Sequence, residues 1–178
     1  MSINILKTSV AAFLLFAGAS FSFAQIKDGA KDPSTSQKQQ KFDKPYNPNE
    51  NAKQKIAALV KKAKTENKNI LIQGGGNWCI WCLRFHQYIQ NNPELKKLVD
   101  ENYLYYHLNY SRENKNADIF ASYGNPQDKY GFPVFIILDK YGKLIHIQDS
   151  SVLEDGANSY DFEKVKDFLL QYAIGSTR

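Results

Sequence analysis

Cysteine is scarce in this chain: there are two, Cys79 and Cys82, among 178 residues. That excludes a small scaffold stapled by several disulfides, and the ~130 residues of the folded part can bury one ordinary core without staples. Long apolar runs are scarce too, and beyond the first residues no segment could span a membrane. Basic residues do not cluster: the net charge of +5 is spread over many lysines, which serves solubility. A nucleic-acid role would need a concentrated basic face with stacking aromatics. No segment repeats. After Gly74-Gly75-Gly76 no Gly-Lys-Ser/Thr follows, so a phosphate loop is a weak reading and a sharp turn out of a strand a simpler one.

What is present begins with Lys7, an apolar run from Val10 to Ala19, and the small-residue site Ser22-Phe23-Ala24. These features predict a secretory signal peptide over residues 1–24, cut before Gln25. They imply a periplasmic or secreted protein, with an uncleaved anchor as the alternative. Gln25 is not cysteine, so a bacterial lipoprotein anchor is ruled out. Lys7 is the sole charged residue removed, so the net charge of +5 becomes +4. Residues 25–50 are rich in lysine, glutamine, serine and proline and predict a flexible linker. Their isolated aromatics, Phe42 and Tyr46, could instead pack onto the domain that follows.

A single domain is expected over 51–178. Ile56, Leu59, Val60 and Ala63 have helical spacing. Residues 69–73 read as a buried strand, Leu83 to Asn92 as a helix, and Leu95 and Leu98 as its continuation after Pro93. A second strand covers 103–109, with a helix possible around Ala117 to Tyr123. Val134 to Leu138 is an apolar strand, Asp139-Lys140-Tyr141-Gly142 a turn, and 143–148 its hairpin partner. Phe162, Val165, Phe168, Leu169 and Tyr172 stripe a closing helix. The order predicts an α/β three-layer sandwich, its mixed sheet covered by helices on both faces.

The two thiols lie where the first strand passes into a helix. A cysteine at a helix start feels the positive end of the helix dipole, which favours the nucleophilic thiolate. As a staple the pair is poor, because a disulfide across two intervening residues restricts the unfolded chain very little. Reactivity explains it better.

Trp78-Cys79-Ile80-Trp81-Cys82 after a strand, with Gly131-Phe132-Pro133-Val134 opening a later one, resembles the thioredoxin superfamily over about residues 51–175. It is most similar to exported thioredoxin-like proteins with a Trp-Cys-x-Trp-Cys motif, described as disulfide reductases or isomerases. The resemblance implies that Cys79 is the exposed attacking thiol and Cys82 the buried resolving one. It implies that Trp78 shields the pair and that Pro133 is cis and faces it. Phe132 and Pro133 would hold an extended substrate by backbone hydrogen bonds, with Trp78 and Trp81 beside them. The implied cofactor is the redox-active disulfide alone, with no metal. The implied partners are client proteins with disulfides and a membrane electron donor, without nucleic acid and without stable membrane insertion.

There are departures. Thioredoxins place a buried aspartate late in the first of these strands, and here that position is Gln73, which cannot be a general base. A nearby lysine of the family falls on His107, whose ordinary pKa suits proton transfer to or from Cys82. A half-buried, hydrogen-bonded structural role for His107 is the alternative. Gln87 stands where thioredoxins kink the helix with proline. The neutral pair Ile80-Trp81 leaves the thiolate without a charged partner, which favours a reducing couple.

Two other function classes remain open. Cys79, Cys82 and His86, with His107 or His146, have spacing that zinc or copper would accept. A non-catalytic binding module could use Tyr103, Tyr105, Tyr106 and Tyr110, although such strand residues are usually core. Covalent haem is excluded because Leu83, not histidine, follows Cys82.

Overall fold

The computed structural model describes residues 41–176. The expected signal peptide and the expected linker up to residue 40 lie outside the described residues. Helix α1 spans Ala52–Glu66, β1 Asn69–Gly75, α2 Ile80–Asn91, α3 Pro93–Asn102 and β2 Tyr103–Asn109. Then come α4 Ala117–Ser122, α5 Pro126–Tyr130, β3 Val134–Leu138, β4 Leu144–Asp149, a 3-10 turn Ser151–Leu153 and α6 Phe162–Gln171. The short α5, which opens on Pro126, was not expected from the sequence.

The strands form one sheet in the order β2-β1-β3-β4. β1 pairs parallel with β2 and antiparallel with β3, and β3 pairs antiparallel with β4. This is the mixed sheet expected from the element order. Alternation sorts its side chains. Leu71, Phe135 and Ile137 face one layer with residues of α2, α3 and α6. Ile70, Ile72, Val134, Ile136 and Leu138 face the other, with residues of α1 and α4. Strand residues two apart point the same way, so each strand serves both cores. Burying one such Leu or Ile contributes about 2 kcal/mol.

Local signals set the boundaries. Asn51 caps α1 by accepting from the Gln54 amide, and Asn67 ends it in the left-handed conformation at φ 52°. Asp161 caps α6 in the same way through the Lys164 amide. In the hairpin turn Asp139 Oδ1 accepts from the amides of Tyr141 and Lys143. Gly142 completes that turn at φ 84°, where a side chain would be strained.

For residues 41–50, assigned by composition to the linker, the alternative of an aromatic packing onto the domain holds at Tyr46. Tyr46 is buried, with 2 % of its surface exposed. Its amide donates to Asn77 Oδ1 at 3.1 Å, and Asn77 Nδ2 donates back to its carbonyl at 2.7 Å. Asn114 Nδ2 holds the Pro48 carbonyl at 3.0 Å. Among the described residues no helix is long and apolar enough to cross a membrane.

Candidate active site

β1 carries the chain out of the sheet at Gly75, four residues before Cys79. The Cys79 amide closes a turn onto the Gly76 carbonyl at 3.0 Å. Cys79 is then the N-cap of α2, and its Sγ accepts from the Cys82 amide at 3.2 Å. The helix begins three residues earlier than its apolar spacing indicates. The two cysteines form a disulfide, with Cα atoms 5.2 Å apart. Cys79 keeps 6 % of its surface exposed and Cys82 none. Unpaired amides of a helix start favour negative charge on a capping group. A Cys79 thiolate would sit in that field.

The three glycines make room rather than a turn. None of them has a positive φ. A Cβ on Gly75 would meet Cys82 Sγ at 2.4 Å and Tyr46 Oη at 2.9 Å. On Gly76 it would meet the Trp78 indole at 2.5 Å, and on Gly74 the Phe120 ring at 2.9 Å. The sharp turn expected of them is therefore replaced by close packing of the disulfide, Trp78 and Phe120 against bare backbone.

The Phe132–Pro133 peptide is cis. Phe132 packs against the cluster of Tyr46, Cys79 and Cys82, as does Trp81. Trp78 is 61 % exposed, donates Nε1 to the Tyr110 carbonyl at 2.7 Å, and sets its ring against the Phe132 ring at 5.8 Å. Ile80 is exposed beside it. A groove of about 500 Å³ opens next to Trp78, lined by Tyr110, Arg112, Glu113 and Lys115 among others. Trp81, half-buried, also reaches the other side of the pair: its ring meets Tyr160 at 5.6 Å and lies under the Arg84 guanidinium at 4.7 Å. Of the expected substrate-binding set, Trp78 and Phe132 touch one another, while Trp81 is wedged into the domain.

Behind Cys82 lies a polar layer. Gln73 is fully buried. Its Nε2 donates to the Cys82 carbonyl at 2.9 Å, and its Oε1 accepts from the Tyr105 hydroxyl. Glutamine at the expected carboxylate position thus ties β1 and β2 to α2. His107 stands beside Gln73 in the parallel register. Its Nε2 lies 3.1 Å from His86 Nδ1, so the two rings share one proton between them. Burial, followed by the neighbouring His86, pushes the His107 imidazole down to about 3. Burial also lowers His86, with the Asp43 carboxylate opposing. The near-neutral ionisation expected of His107 is therefore displaced, because a charged ring there would lose its hydration. α2 runs unbroken from Ile80 to Asn91, in keeping with Gln87 in place of a kinking proline.

The rival uses of these residues fare differently. The two cysteines are bonded to one another and His86 is paired with His107. Among the described residues, no three His, Cys, Asp or Glu side chains converge on one point. His146 lies on β4 and stacks on Tyr172 at 4.3 Å. Of the strand tyrosines, Tyr103 and Tyr106 are buried in the core. Sequence reasoning missed Tyr46 and Tyr160 as neighbours of the motif. Nothing in the local pattern marks Tyr160, whose hydroxyl donates to the Trp81 carbonyl at 3.2 Å.

Comparison with known proteins agrees with this architecture. A disulphide isomerase from Xylella fastidiosa Temecula1 superposes with a TM-score of 0.62 at 19% identity, covering 72% of this chain and 96% of that one. A DsbH oxidoreductase gives 0.40 at 22% identity, covering 52% and 67%. A thioredoxin-fold protein from Helicobacter pylori gives 0.36 at 19% identity, covering 59% and 81%. At those scores the last two add nothing about this chain. No curated protein matches it in sequence. Residues 51–140, half of the chain, match the thioredoxin-like family. With its mixed four-stranded sheet and a disulfide-forming Cys-x-x-Cys pair at a helix start, the chain belongs to the thioredoxin-like family and has the fold of thiol-disulfide oxidoreductases.

Proposed function

We propose that the protein is an exported thiol-disulfide oxidoreductase that reduces or isomerises disulfides in client proteins. The observation that carries this reading is the Cys79–Cys82 disulfide at the N-terminus of α2, with Cys79 capping the helix and Cys82 buried behind it. In the reduced protein the Cys79 thiolate attacks one sulfur of a client disulfide, and the other client sulfur leaves as a thiolate. Cys82 then loses its proton and attacks Cys79 Sγ. The Cys79–Cys82 disulfide forms, the second client thiolate is released, and two electrons have passed to the client.

Phe132, which packs against the pair, and the cis Pro133 that follows it would hold an extended client segment by its backbone, with Trp78 as an apolar platform. His107 sits near the resolving side, and its role is to keep the polar layer neutral and packed. Re-reduction of the disulfide requires a donor, which we assign to a membrane electron-transfer partner. Export rests on the signal-like residues 1–24.

The test is the reduction potential, measured by equilibrating the pair with glutathione. No charged side chain stands in the first turn of α2 to hold the thiolate. The couple is therefore expected nearer about −270 mV than the strongly oxidising value of about −120 mV. A value above roughly −150 mV would count decisively against a reductase or isomerase.

A further inference from the structure

Tyr46 is the polar side chain that the mechanism leaves unused. Asn77, one residue before Trp78, clamps its backbone from both sides. That clamp fixes the ring under the motif, where it packs with Cys79 and Cys82 and meets the His107 ring at 5.2 Å. Its hydroxyl and Cys82 Sγ face the same small space beside Gly75, where no side chain fits. Yet the hydroxyl is buried without a hydrogen-bond partner. Gln73 is the polar neighbour that pulls against burial at this hydroxyl, but its amide donates to the Cys82 carbonyl, its oxygen already accepts from Tyr105, and no bond to Tyr46 is formed.

A buried donor left unpaired costs stability. A disulfide sulfur is a poor acceptor and a thiolate a strong one. The unpaired state is therefore a property of the oxidised protein that reduction would relieve. We propose that the Tyr46 hydroxyl donates a hydrogen bond to the Cys82 sulfur once the disulfide opens, stabilising the thiolate that resolves the mixed disulfide. The proposal deepens the oxidoreductase reading and rests on it.

The surroundings suit a donor. Burial raises the Tyr46 hydroxyl well above its usual range, so it stays protonated. Tyr105 and Tyr160 are raised by burial in the same way, and His107 is held neutral. His86 is also lowered, and Asp43 is the charge that acts on it. Tyr46 therefore does not accept the proton of Cys82; it lowers the cost of losing it to water.

The reduced full chain is mixed with a chromogenic aromatic disulfide across a range of pH. Attack by Cys79 releases one coloured thiolate, and resolution by Cys82 releases a second. Tyr46→Phe removes the hydroxyl and keeps the ring. The first phase should be unchanged, and the second should slow about tenfold at neutral pH, the worth of one charge-assisted hydrogen bond. Its pH midpoint should rise by about one unit. The oxidised variant should melt no lower than the wild type, since it loses only an unpaired group. A second phase with wild-type rate and pH profile overturns the proposal and leaves the oxidoreductase reading standing. So does a lower melting temperature of the oxidised variant. A wild-type protein that releases a single thiolate overturns both.

Discussion

Mixed disulfides with clients should accumulate in a Cys82→Ser variant and be absent from a Cys79→Ser variant. The two sulfurs share one bond but not one environment. Cys79 caps α2, where helix amides favour its thiolate, and retains a small exposed surface. Cys82 is enclosed by Gly75 and Tyr46 and has no exposed surface. A client can therefore be attacked by Cys79, whereas a serine at position 82 cannot resolve the adduct. Non-reducing electrophoresis of protein recovered from its compartment reads the difference directly. Trapping at equal levels by both variants would overturn the assignment of roles.

Acid should destabilise the fold through His107. Unfolded, its imidazole titrates near the usual value of about 6.5. In the folded protein burial lowers it to about 3. Above the unfolded value both states are neutral, and stability does not depend on this ring. Between the two values only the unfolded chain takes up the proton, so stability falls as pH falls, by roughly 3 kcal/mol at pH 4. His86, lowered less strongly by its burial, acts in the same direction. Urea unfolding at pH 7 and pH 4 measures the loss, and His107→Gln should remove most of its own share. An identical loss in the variant would show that the ring charges freely in the fold. The same neutrality means that His107→Gln should leave no missing ionisation near neutral pH in the turnover profile.

Much of the architecture was legible because hydrophobic period and turn chemistry agreed. The strand at 69–73, the apolar strand 134–138 and the turn at Gly142 each carried a pattern that one structure satisfies. The cysteine pair was legible because two thiols at a strand-to-helix junction have few other uses. What was hidden depended on contacts distant in sequence. Tyr46 stands in a polar stretch, and its burial follows from Asn77, 31 residues away. Composition reads such a stretch as linker; its isolated aromatics left packing onto the domain as an alternative, without showing where they would pack. The state of His107 was hidden for the same reason: its ordinary pKa gives no hint of His86 across a helix–strand contact. The glycines misled in a different way, since a residue chosen for lack of volume looks like one chosen for backbone freedom.

The position of β1 has a consequence for how the site survives its own chemistry. β1 is flanked by β2 on one side and β3 on the other, so its amides and carbonyls are paired along both edges. β4 has an open edge, with Leu144 at its start exposed. In the language of hydrogen exchange, the edge strand can open by itself, whereas β1 exchanges through the larger openings that take apart the sheet. The cysteine loop is thus fastened to one of the two central strands, β1 and β3, each paired along both edges. Making and breaking the disulfide can loosen the loop beyond Gly75 without propagating into the sheet, and each turnover returns the loop to the same rigid base.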